Sequence, residues 1–124
     1  MGRRFSRSWV LLLAVLLFGA RGAARAQQPP EDARGNWTIF SKNIDNNETV
    51  EKHVQIHQNG SQLSGRFEGP NQSGGIQGTV NGHHIEFSTK TRNVLTFRGQ
   101  IDGNHMSGMY GIHGRHAEWR AVRN

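Results

Sequence analysis

The chain contains no cysteine. That absence excludes disulfide staples, thiolate nucleophiles, thiolate metal ligands and an acylated N-terminal cysteine. Proline is scarce, with three residues in 124, two of them adjacent at Pro29 and Pro30. The one long apolar run, Trp9 to Ala20, is shorter than the ~20 residues that a membrane helix needs, so no membrane span is expected. Helical periodicity is missing after it. An excess of positive charge is missing as well, although the formal total is +6. Five arginines (Arg3, Arg4, Arg7, Arg21, Arg25) and no acid precede residue 27, which leaves ten of the 15 basic residues against all nine acidic ones. A near-neutral remainder removes the charge-based case for a nucleic-acid partner.

The first 26 residues have the plan of a secretory signal: a basic stretch to Ser8, the apolar run, and small residues at Ala24 and Ala26. Cleavage is expected after Ala26, with Gly22-Ala23-Ala24 as the alternative, and the product is expected to be secreted or periplasmic. Residues 27–34, QQPPEDAR, are polar and proline-rich without apolar periodicity, and read as a disordered leader. Residues 35–124 then form one domain. Asn-x-Ser/Thr triplets at Asn36, Asn47, Asn59 and Asn71 are glycan acceptors in a eukaryotic secretory route and chance products of an Asn-rich chain otherwise.

From Gly35 onward apolar residues alternate with polar ones, the period of a half-buried strand. Three stretches share one plan, with Asn59-Gly60, Asn81-Gly82 and Asp102-Gly103 each flanked by alternating runs. Such pairs predict type I′ hairpin turns, because both central residues of that turn need positive φ. Centred there, the turns set Val54 opposite Gly65, Lys52 opposite Phe67, Ile76 opposite Phe87, Phe97 opposite Gly108 and Leu95 opposite Tyr110. The same register sets Glu51 opposite Glu68 and Glu86 opposite Gln77, facing outward. Each inward glycine (Gly65, Gly78, Gly99, Gly108) then meets a larger apolar residue, which favours a filled interior over a hollow one. Adding strands near Asn36–Lys42 and Arg115–Arg123 gives the fold class: all-β, an eight-stranded antiparallel up-and-down meander barrel. The alternative is an open two-sheet β-sandwich.

Gly35-Asn36-Trp37, followed by Leu63-Ser64-Gly65-Arg66-Phe67 after the first turn, resembles the opening of the avidin and lipocalin-like barrels. The resemblance covers the first strands and the general meander. It implies that Trp37 closes one barrel end beside Arg120 or Arg123. The avidin ligand positions correspond here to Ile39, Asn43 and Phe67, which do not match that family's polar set, so no biotin binding is expected.

Seven histidines are the one enriched reactive type. Strand parity turns His53, His57, His84 and His105 to solvent and leaves His83, His113 and His116 at strand ends or in loops. His113-x-x-His116 lacks a cysteine or acidic pair at metal spacing, so no metal site and no cofactor are expected. Ser61, Ser64, Ser73, Ser88 and Ser107 lie in turns or outward, without a nucleophile-elbow context, and no paired inward carboxylates exist. No catalytic residue is assigned and no enzyme activity is expected.

Two functions are compatible with this pattern. One is a binding module for a small apolar or amphipathic ligand, with Trp37, Lys52, Phe67, Phe87, Phe97, Tyr110 and Trp119 as candidate lining. Lys52 is the inward cation in that set, placed either to bind an anionic group near a mouth or to extend to the rim. The other is a protein-interaction domain similar to the small-barrel inhibitors of secreted proteases, whose extended leader would enter a partner's cleft.

Overall fold

The computed structural model describes residues 28–124, so residues 1–27, with the segment expected to be a secretory signal, lie outside the described residues. Eight strands follow one another: β1 (Gly35–Lys42), β2 (Thr49–Asn59), β3 (Gln62–Glu68), β4 (Ser73–Asn81), β5 (His84–Lys90), β6 (Thr96–Asp102), β7 (His105–Ile112) and β8 (Arg115–Arg123). Each pairs antiparallel with its chain neighbour, and β1 pairs with β8, so the sheet closes on itself. The closed barrel replaces the sandwich alternative and leaves no free strand edge among the described residues.

Alternation decides the faces. On β2, Lys52, Val54 and Ile56 are buried while Glu51, His53, Gln55 and His57 are exposed. The interior is filled by stacked rings: Phe87 lies 4.9 Å from Phe97, Phe97 lies 5.5 Å from Tyr110, and Trp119 meets Phe97 edge-on at 5.2 Å. Each buried aromatic contributes about 1.5–3 kcal/mol, which is how a small domain without disulfides gains stability.

The hairpin register differs from the expectation by two residues. The central residues of the turns are Gly60-Ser61, Gly82-His83 and Gly103-Asn104, because the last ladder pairs are Asn59↔Gln62, Asn81↔His84 and Asp102↔His105. Each of these glycines has φ near +60°, while the residue after it does not have positive φ, as in type II′ turns rather than type I′. The type I′ pattern occurs instead at His113-Gly114, with φ values of 51° and 77°. A shift of two keeps every side chain on its face. It also pairs Val80 with Ile85 and Ile101 with Met106, where the expected register set them against His83 and Asn104.

Several cross-strand pairs are corrected accordingly. Val54 faces Phe67, Ile56 faces Gly65, Phe87 faces Gly78 and Phe97 faces Tyr110. His53 rather than Glu51 faces Glu68, and Thr79 rather than Gln77 faces Glu86. Lys52 faces Ile39 on β1, not Phe67. Gly99 and Gly108 face each other, so large-against-small pairing fails there. The backbones of β6 and β7 approach closely at this pair, where a Cβ on either glycine would meet the facing strand's backbone; Trp119 sits opposite Gly108, and its Nε1 donates to Arg98 O on β6 and Met109 O on β7, both at 3.1 Å. An indole reaching from β8 to β6 needs a flat surface on the strand between.

The segment read as a disordered leader is structured from Gln28 onward. Glu31 N donates to Gly82 O at 3.0 Å, Ala33 N donates to Gln58 Oε1 at 2.7 Å, and Gln58 Nε2 donates to Glu31 O at 3.0 Å. Ala33 is fully buried, and its carbonyl accepts the Trp37 Nε1 proton at 2.9 Å. This strap crosses the barrel end that holds the three Gly-x turns, here the turn end. The opposite, loop end carries residues 43–48, 69–72, 91–95 and the His113-Gly114 turn.

Candidate ligand site at the loop end

The seven candidate lining residues separate into three places. Trp37 lies at the turn end, fully buried, with the Arg123 guanidinium stacked 4.4 Å from its ring centre, as the lipocalin resemblance implied. Arg123 also donates to Asp32 O at 2.8 Å, Gly103 O at 3.0 Å and Arg34 O. Those bonds seal the turn end. Phe87, Phe97 and Trp119 are buried and packed against one another in the middle. Lys52, Tyr110 and Phe67 remain, at the loop end.

There a pocket of about 320 Å³ opens between the 43–45 loop, Pro70-Asn71 and the ends of β2 and β7, with Lys52 and Tyr110 in its wall. It adjoins a second pocket of about 500 Å³ that shares Pro70, Asn71, Leu95 and Ile112 and reaches Phe67. The loops around this mouth are tied to each other: Gln72 Nε2 donates to Asn93 O at 2.8 Å, and Asn93 N donates to Gln72 Oε1 at 3.2 Å. A larger concavity, about 580 Å³, is a groove on the outer wall over β1, β7 and β8, where Arg120 stacks on Phe40 at 4.4 Å. Its charged residues Glu118 and Arg120 are exposed to solvent, so it presents no desolvated charge to a ligand.

Lys52 is 9 % exposed. Its Nζ donates to Ser41 Oγ and lies 5.2 Å from the centre of the Tyr110 ring. Among the described residues no carboxylate pairs with it; Asp45, at the same mouth, is engaged by Arg115 at 2.9 Å. Burial pushes the Lys52 pKa below its ordinary value. The ring face of Tyr110 favours the ammonium by about 0.5–1 kcal/mol and offsets this in part. Burial pushes the Tyr110 phenol up, a hydrogen bond with Ser41 opposes that, and the negative charge of Asp45 adds to it. The Tyr110 hydroxyl donates to Lys42 O at 2.6 Å, fixing the ring beside the amine.

Ser41 is the residue that sequence reasoning missed. It shares parity with Trp37 and Ile39, and an inward hydroxyl on a strand of inward apolar residues was the available signal. A serine bonded to a buried lysine has the partners of a Ser-Lys nucleophile. Ser41 is fully buried, however, and presents no surface to a substrate.

All seven histidines are exposed, including the four that parity turned outward. His53 meets Glu51 at 3.3 Å and His83 meets Glu31 at 3.3 Å. Among the described residues no three His, Cys, Asp or Glu side chains come together as a cation site would require. No helix among those residues is long and apolar enough to cross a membrane. No family model matches the chain, and comparison with curated proteins finds no relative.

Proposed function

We propose that the protein is an exported, lipocalin-like binding module that takes a small amphipathic ligand at the loop end and performs no catalysis. The observation that carries the reading is the desolvated Lys52 amine, lining a pocket without a carboxylate partner among the described residues. A buried polar group costs stability unless it is matched, and a ligand's polar head matches it while the apolar tail covers Leu95, Ile112 and Phe67. The Trp37–Arg123 stack supports the lipocalin-like comparison.

The middle of the barrel is filled, so the ligand lies across the mouth and Phe87, Phe97, Trp119 and Trp37 do not touch it. The alternative, an inhibitor whose leader enters a protease cleft, has against it that residues 31–34 are bonded to Gln58, Gly82 and Arg123. Titration of the labelled protein with 1-octanol and octanoate, followed by amide NMR, tests the reading. Shifts confined to residues 43–52, 69–72, 91–95 and 110–114 are expected. Shifts centred on the turn end, or none with either compound, overturn it.

A further inference from the structure

We propose that Lys52 captures aldehydes as a reversible imine, which makes the loop-end pocket a carbonyl-binding site. The inference rests on the ligand reading above and names the chemistry of the ligand's head.

An amine that captures a carbonyl must reach its free-base form and must be approachable. The surroundings of Lys52 favour both. With no ion-pair partner among the described residues and 9 % exposure, little holds the ammonium in its charged form. Burial accordingly moves the group toward the free base. Lys52 also lines an open pocket, which is the approach route for a small carbonyl compound. Ser41 Oγ, the acceptor for Nζ, fixes the direction of the amine. Lys42 and Lys90, the other two lysines, are half-buried and exposed respectively, so they serve as internal comparisons.

The step balances without an oxidant or reductant. The Nζ lone pair attacks the carbonyl carbon and a C–N bond forms as the C=O π pair moves to oxygen. One proton passes from nitrogen to that oxygen to give the carbinolamine. The hydroxyl then takes the second nitrogen proton and leaves as water, and the C=N bond closes. The face of Tyr110 at 5.2 Å supports whatever positive charge remains on the nitrogen of a protonated imine.

The test treats the full chain with octanal and sodium cyanoborohydride at neutral pH and maps octyl adducts by peptide mass spectrometry. An adduct is expected on Lys52 at least about tenfold faster than on Lys90, as a desolvated amine without an ion-pair partner among the described residues reacts ahead of a solvated one. Lys52→Arg, which keeps a cation and a long stem but forms no such imine, is expected to leave Lys90 labelling unchanged. Labelling of Lys52 no faster than Lys90 overturns the proposal. If Lys52→Arg does not fold, the ratio of the two sites in the unaltered chain decides alone. Octanol and octanoate separate this failure from that of the ligand reading. If they shift the loop-end signals while Lys52 stays unlabelled, only the imine is lost; if neither binds and no Lys52 adduct forms, both readings fall.

Discussion

A lysine held out of water with no counter-ion among the described residues makes stability depend on alkaline pH. Between the lowered pKa of Lys52 in the folded chain and the ordinary value of 10.5, the unfolded chain binds a proton that the folded chain does not. Stability therefore rises with pH across that window. Tyr110 acts in the opposite sense: its phenol is pushed above the ordinary value of 10.0, so above that pH the folded chain keeps a proton that the unfolded chain has lost, and stability falls. Urea unfolding from pH 7 to 11 should show a rise and then a decline. Lys52→Met, similar in shape and uncharged, should remove the rise and stabilise the protein at pH 7 by on the order of 1 kcal/mol. Tyr110→Phe should remove the decline, at a cost of about 1 kcal/mol at neutral pH for the lost bond to Lys42 O. A flat profile in the unaltered protein would contradict both. The inward position of Lys52 was legible from parity alone. Its isolation was not, because which charges share a barrel mouth depends on loops that carry no periodic signal.

At the scale of elements, the two kinds of glycine in the hairpins should respond differently to substitution. A Cβ at Gly108 would stand 1.9 Å from Arg98 O, and one at Gly99 would stand 1.9 Å from Ser107 O, both backbone atoms that cannot step aside. At Gly103 a Cβ meets nothing within 4 Å, and only the φ of 62° opposes it. Gly108→Ala is expected to cost about 3 kcal/mol or more and to disturb the Trp119 indole, against about 1–2 kcal/mol for Gly103→Ala. Thermal unfolding followed by tryptophan fluorescence measures both, and equal losses would sink the distinction. Strand number and facing were readable because alternation sets both. Register was not, since the Gly-x and Asn-Gly versions of each turn differ by two residues and leave the same faces inward. What separates them is the pairing of Val80 with Ile85 and Ile101 with Met106, a packing preference that a polar-apolar pattern does not encode.

Across the whole molecule the two barrel ends have separate duties. The turn end is closed by the strap, Trp37 and Arg123, while the loop end stays open around Lys52. The strap left no periodic trace in the sequence, because a polar, proline-bearing segment bonds through its backbone and through single side chains such as Gln58. This separation leads to a test of the entire assignment by removing residues 1–34. The deletion strips Ala33 from the core and leaves Trp37 Nε1 without its acceptor, at an expected cost of about 2–4 kcal/mol from one buried unsatisfied donor and the lost packing. Every residue of the loop-end pocket lies beyond position 42, and the strap's hydrogen bonds go instead to Gln58, Asn81, Gly82 and Arg123. Provided the shortened chain is studied below its lowered melting temperature, its affinity for octanoate or octanol should match that of the full chain within about twofold. A protease inhibitor acting through its leader would lose its partner with the same deletion. Loss of loop-end binding in a chain that is still folded would mean that the ends are coupled through the aromatic stack, and the ligand would then have to be sought in the barrel as a whole.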